Sequence, residues 1–257
     1  MKKILATAML AIGLFASNYM GAEATNVATT PSTYEEPITV PVQVNTCYEV
    51  GSGVYQVTSV AETSRTVTYV APVNKDCTKA IIPASITLPE DDNVYKVTTI
   101  GASAFKDCKK LRTVRIGGNV QRIEAEAFRN CEKLAKIEIP SNVKTMGAKA
   151  FMNCSGLKKV TIGNNIQTIG NYAFCKATSL QTVVIGSKVK TIGTSAFSGC
   201  TKLKSIQINS KYLSTVKKNA FKGIQKKAEI KVPSSKVKTY KKLLKGKAPS
   251  TATITKK

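Results

Sequence analysis

Phe105, Phe128, Phe151, Phe174 and Phe197 stand 23 residues apart, and Phe221 follows after 24. Ala precedes each of them, as Ala104, Ala127, Ala150, Ala173, Ala196 and Ala220. Three residues after Phe come Cys108, Cys131, Cys154, Ala177 and Cys200; six after come Leu111, Leu134, Leu157, Leu180 and Leu203. Val114 with Ile116, Ile137 with Ile139, Val160 with Ile162, Val183 with Ile185 and Ile206 with Ile208 follow at nine and eleven. That alternation predicts one short strand per unit. A second apolar pair recurs as Val97 and Ile100, Val120 and Ile123, Val143 and Met146, Ile166 and Ile169, and Val189 and Ile192, with Gly after most of them.

A fixed period of this length is the mark of a solenoid, because one such unit cannot fold alone. About eight apolar side chains per unit cannot offset the conformational entropy of ordering the rest. Stacking removes the difficulty: neighbouring units share strand hydrogen bonds and a continuous core. At the usual strand spacing, five to six units make a rod roughly 25 to 30 Å long. Residues 97–232 are therefore expected to be the repeat region.

The unit AFxxCxxLxx(V/I)xI followed by Vxx(I/M)G resembles the BspA-like, treponemal-type leucine-rich repeat of bacterial surface and secreted proteins. The last unit departs from it, with Lys217 in place of Gly and Ile224 in place of Cys. The resemblance implies a mainly β chain with short helices, wound as a right-handed leucine-rich-repeat solenoid. It further implies a module for adhesion and for protein or glycan binding, with no catalytic residues to carry over.

The flanks follow other patterns. Lys2 and Lys3, the apolar stretch Ile4 to Ala16 and the small residues Ala22-Glu23-Ala24 read as a signal peptide over residues 1–24, too short in its apolar part to span a bilayer. Residues 25–45, rich in Thr, Val and Pro, read as a flexible tether. Residues 46–96 hold short β-branched runs broken by Gly, Pro, Asn and Asp, the pattern of a β-rich N-terminal cap. Residues 233–257 read as a basic C-terminal cap, with a helix from about Ser235 to Leu244 and a final strand in TATIT. A secreted or extracellular location, with or without retention at the cell surface, is the expectation from the leader.

Charge divides the chain. Residues 1–138 carry 15 basic and 14 acidic side chains, whereas residues 139–257 carry 24 basic and one acidic, Glu229. A half so charged attracts polyanions such as an anionic cell-wall polymer, or simply keeps a solenoid face wet. If the residues at six, nine and eleven after Phe point inward, those at five, seven, eight and ten face out. Lys110, Arg112 and Arg115, then Lys133 and Lys136, then Lys158 and Lys159, then Lys202 and Lys204 form the candidate binding set. A stripe with a cation about every 5 Å is expected, with a neutral gap at Ser179, Gln181, Thr182 and Val184. No aromatic side chains interleave with it, which argues against specific nucleic-acid recognition.

Little else offers chemistry. The chain has no His, so imidazole bases and imidazole metal sites are excluded. Residues 139–228 contain no carboxylate, so paired-acid hydrolysis is excluded there. An enzyme is not expected, nor a cofactor. Cys108, Cys131, Cys154 and Cys200 share one repeat position, where parallel stacking sets their Cβ atoms too far apart for disulfides, so a ladder of buried free thiols is expected. Cys175 is expected to replace the thiol missing at Ala177, and Cys47 and Cys77 could pair in the cap. Glu90, Asp91 and Asp92 read as a turn, and Gly51-Ser52-Gly53 as a hairpin.

Two functions remain open at this point: adhesion to a host or neighbour-cell protein or glycan through the exposed face, or electrostatic retention on an anionic wall polymer by the Lys-rich end from Lys217 to Lys247.

Overall fold

The computed structural model describes residues 41–257; the expected signal peptide and most of the expected tether lie outside the described residues. β1 (Cys47–Val50), β2 (Gly53–Ser59) and β3 (Thr66–Pro72) form an antiparallel meander, β1 turning into β2 through Gly51 at φ 60°. Gly51 sits where the hairpin needs a left-handed residue.

From β4 (Lys79–Ile82) onward the chain winds in turns. β5 (Ser85–Thr87) and β6 (Val94–Ile100) complete the first of them. The long strands β7 (Thr113–Ile116), β9 (Lys136–Glu138), β11 (Lys159–Thr161), β13 (Thr182–Ile185), β15 (Ser205–Ile208) and β17 (Glu229–Val232) alternate with two-residue strands. These are β8 (Arg122–Ile123), β10 (Thr145–Met146), β12 (Thr168–Ile169), β14 (Thr191–Ile192) and β16 (Thr215–Val216). After β17 come the helix α1 (Val237–Leu244) and β18 (Thr253–Lys256).

Two sheets result. One has eight strands in the order β18-β17-β15-β13-β11-β9-β7-β4, all parallel. The other has ten, in the order β1-β2-β3-β6-β8-β10-β12-β14-β16 with β5 on β6. Each turn thus contributes two strands and not the one expected. The second strand consists of two residues, such as Thr168 and Ile169, too few to show an alternation in sequence. The stack also begins before residue 97 and reaches the C-terminus, because β4 pairs in register with β7 and β18 with β17.

Between the sheets the repeated apolar positions become continuous columns. Phe105, Phe128, Phe151, Phe174, Phe197 and Phe221 are fully buried and stack face to face, centroids 5.0 to 5.3 Å apart and planes within 7°. Tyr69 of β3 extends the column, 5.1 Å from Phe105 at 10°. A ring every strand spacing lies within the favourable range for offset stacking, and dispersion accumulates along the whole length.

The turns that carry the rings are tight. In each, the residues two before and two after Phe adopt positive φ, as Lys149 (57°) and Asn153 (61°) do around Phe151. Their amides bond to the next turn: Lys149 N–H to the Asn171 carbonyl at 2.8 Å and Asn153 N–H to the Cys175 carbonyl at 2.9 Å. The Gly that follows most of the second pairs has a different cause. A Cβ at Gly170 would collide with the Gly147 carbonyl of the preceding turn, since the backbones pass in direct contact there.

The thiol ladder is present. Cys108, Cys131, Cys154 and Cys200 are buried and free, and Cys131, Cys154 and Cys200 donate to the carbonyls of Phe105, Phe128 and Phe174, each at 3.1 Å. Burial pushes the Cys108 and Cys200 thiols up to about 12. Cys175 is buried and free and, like Cys108, makes no bond of this kind among the described residues. Cys47 and Cys77 are half-buried and free.

At the C-terminal end α1 packs on β16 and β18, with Tyr240 and Leu244 buried. The Tyr240 hydroxyl donates to the Ser210 carbonyl at 2.8 Å and accepts from Leu213 N–H at 3.1 Å.

Candidate functional site

The outer face of the eight-stranded sheet is set by the inward commitment of its alternate residues. Val160 and Ile162, for example, are buried, so Lys159 between Leu157 and Val160 has only solvent to face. All nine residues of the candidate set, Lys110, Arg112, Arg115, Lys133, Lys136, Lys158, Lys159, Lys202 and Lys204, are exposed. They reach the surface from β7, β9, β11 and the turns that lead into these strands and into β15.

Along the stack the cations do not recur at every strand spacing. Backbone bonds from Ala135 to Arg112, Lys158 to Ala135, Gln181 to Lys158 and Lys204 to Gln181 define one column, in which every second side chain is neutral. In the adjacent column Lys136 lies opposite Lys159, flanked by Thr113 and Thr182. Like charges directly opposite each other on neighbouring strands repel, and a neutral side chain between cations lowers that cost. The stripe is a staggered field. Its neutral gap is present, with Gln181 exposed and Ser179, Thr182 and Val184 half-buried.

Carboxylates engage a minority of the set. Lys136 pairs with Glu138 at 2.9 Å and Lys110 with Asp76 at 3.1 Å, while the other seven make no ion pair among the described residues. Lys136 and Lys159 together hold the Glu138 carboxyl below its ordinary range.

One carboxylate elsewhere is bound much more firmly. Glu126 accepts from Lys106 at 3.0 Å, Arg129 at 3.1 Å and Lys149 at 3.3 Å, and its side chain is 20% exposed. The Lys106 ammonium, with Arg129 and Lys149, lowers its carboxyl to about 2. This cluster ties three successive turns together and is structural.

A second surface had no counterpart among the expected sites. On the outer face of the ten-stranded sheet, where the antiparallel β2 and β3 meet the parallel β6 and β8, lies a groove of about 710 Å³. Gln56, Thr68, Thr98, Thr99, Gln121 and the Arg122–Glu124 pair are among the residues that line it. They come from four strands and the adjoining turns, so no local spacing in the sequence connects them. The one available signal was the polar partner at each second apolar pair, Thr99 before Ile100 and Arg122 before Ile123.

Among the described residues there is no group of His, Cys, Asp and Glu suited to holding a metal, and no helix long and apolar enough to cross a membrane.

Comparison with known proteins agrees with this architecture. The family model for the BspA type leucine-rich repeat region matches residues 84–204 and 167–254, with six copies. None of the curated proteins searched matches the chain. Among solved structures it is similar to the leucine-rich repeat protein of Treponema pallidum, at 23% identity and a TM-score of 0.55, over 77% of this chain and 96% of that one. It also matches a leucine-rich repeat protein from Bacteroides ovatus, at 27% identity and a TM-score of 0.47, over 73% of this chain and 59% of that one. A leucine-rich cell surface protein from Faecalibacterium prausnitzii matches at 24% identity and a TM-score of 0.44, over 74% and 71%. With the family model matching well over half of its residues, the chain belongs to the BspA-type leucine-rich repeat family of bacteria.

Proposed function

We propose that the protein is a secreted or cell-surface adhesion module that binds a host or neighbour-cell protein or glycan through the outer face of its eight-stranded sheet. The BspA-type repeat makes it a protein-interaction solenoid, a class of generally non-enzymatic binding modules. The observation that carries the reading is the exposed, staggered field of cations on β7, β9, β11 and the turns before them, of which, among the described residues, carboxylates engage Lys110 and Lys136. Such a field steers a partner of opposite charge and sets its orientation. Binding of the purified protein to cells or matrix is the test: charge reversal at Arg112, Lys136 and Lys159 should abolish it. Unchanged binding would remove this face from the function.

A second reading has its own support. Between Lys217 and Lys247 there are twelve lysines and one carboxylate, Glu229, gathered at the α1 end of the stack. This end holds the protein on an anionic wall polymer by charge alone. Intact cells washed in rising salt should release it, because a force of this kind is screened within about 3 Å at 1 M. Protein that stays attached would sink this reading and leave the adhesion reading standing.

A further inference from the structure

We propose that the groove on the ten-stranded sheet is a binding site for a short neutral oligosaccharide. The proposal does not depend on the basic face, which belongs to the other sheet.

Size comes first. A volume of about 710 Å³ is within the range of small-ligand sites. Thr68, Thr98 and Thr99 are half-buried there; farther along the Thr99 column Thr145, Thr168 and Thr215 are exposed and Thr191 is half-buried.

The lining chemistry then selects the ligand. Gln56 and Gln121 present amides and Thr58, Thr68, Thr98 and Thr99 present hydroxyls, groups that both donate and accept. The side chains of Thr68, Thr98, Thr99 and Gln121 form no hydrogen bond with the described residues, so their capacity is open to a ligand. Arg122 Nε donates to Glu124 Oε1 at 2.7 Å, which leaves Glu124 Oε2 to accept and the remaining guanidinium N–H groups to donate. Donors and acceptors set side by side in this way suit the neighbouring hydroxyls of a sugar ring.

Other ligands fit less well. Arg122 and Glu124 are the only ionised side chains in the lining and cancel each other, so on a chain of net charge +24 this groove offers a polyanion nothing. The strands β2, β3, β6 and β8 beneath it are each paired on both sides, leaving no open edge for a peptide strand to join. Val70 and Ala102 are its principal apolar side chains, too little to form the buried anchor pocket of a protein interface.

The test is an array of immobilised neutral di- to tetrasaccharides of glucose, mannose, galactose and N-acetylglucosamine, probed with the full chain at low salt and at about 1 M salt. At least one neutral oligosaccharide should be bound, equally well at both salt concentrations. The Thr98→Val/Thr99→Val variant keeps the shape and removes both hydroxyls, and should bind about tenfold more weakly. Ala102→Gln, which fills the groove from an exposed position, should do the same, while Thr168→Val, farther along the same column, should bind as the parent does. Circular dichroism of each variant confirms that the sheets are intact.

The proposal is overturned if no neutral oligosaccharide is bound, or if binding survives both groove variants. It is equally overturned if binding is lost in Lys136→Glu/Lys159→Glu or at high salt, since the sugar would then lie on the other sheet. The adhesion reading is judged separately, by its own charge-reversal variants.

Discussion

At the scale of single residues, the same side chain contributes differently according to whether the stack repeats it. Phe151 touches a ring above and a ring below, Phe128 and Phe174, at 5.0 and 5.2 Å. Phe151→Ala should cost about 3 to 5 kcal/mol, measured by denaturant unfolding, and hydrogen exchange should rise in the two adjoining turns as well as its own. Glu126 is a singular residue by comparison. Its folded-state carboxyl is held at about 2 against an ordinary 4.5. The stabilisation is therefore complete above pH 4.5 and is lost as pH falls through about 2. Glu126→Gln should lower stability by about 1 kcal/mol at neutral pH and flatten the acid limb of a stability profile between these values. The Phe column was legible from spacing alone. The Glu126 cluster was not, because its cations come from three successive turns at two different offsets, Lys106 and Arg129 one after their own Phe and Lys149 two before.

At the scale of elements, periodicity showed the long strands and missed the short ones. Four-residue strands such as β13 display two buried and two outward positions, whereas Thr191 and Ile192 of β14 display one of each, which is no pattern. The thiol ladder was foreseeable because parallel strands carry like residues in register. Its consequence is chemical silence: a thiol buried in the stack is closed to reagents in solution. A water-soluble alkylating reagent should label Cys47 and Cys77 in the folded protein and spare Cys108, Cys131, Cys154, Cys175 and Cys200, with all seven labelled in denaturant, as mass spectrometry would show.

At the scale of the whole molecule, the eight-strand stack spans roughly 34 Å at the usual strand spacing, longer than the repeats visible in sequence alone imply. Energetically it is a sum of like turns and like interfaces. Excising residues 141–163, one full period, should leave a folded, cooperative protein with a lower melting temperature and a rod about 5 Å shorter by small-angle scattering. Excising about half that length breaks the register of both sheets at once and should prevent folding.

Spacing by itself determined the solenoid, its aromatic core and which face of the long strands meets solvent. Each follows from a local rule: in a parallel stack, residues one period apart must share an environment. Three other features belong to the tertiary structure. The degenerate strand β4 joins the stack although no Phe of its own marks that turn, and Tyr69 of β3 supplies the ring instead. The cations are staggered because pairing partners on neighbouring strands set their columns. The groove exists only where β2, β3, β6 and β8 lie side by side, bringing together residues from Gln56 to Glu124. Such features depend on contacts between residues far apart in the chain, and a period read along one dimension carries no record of them.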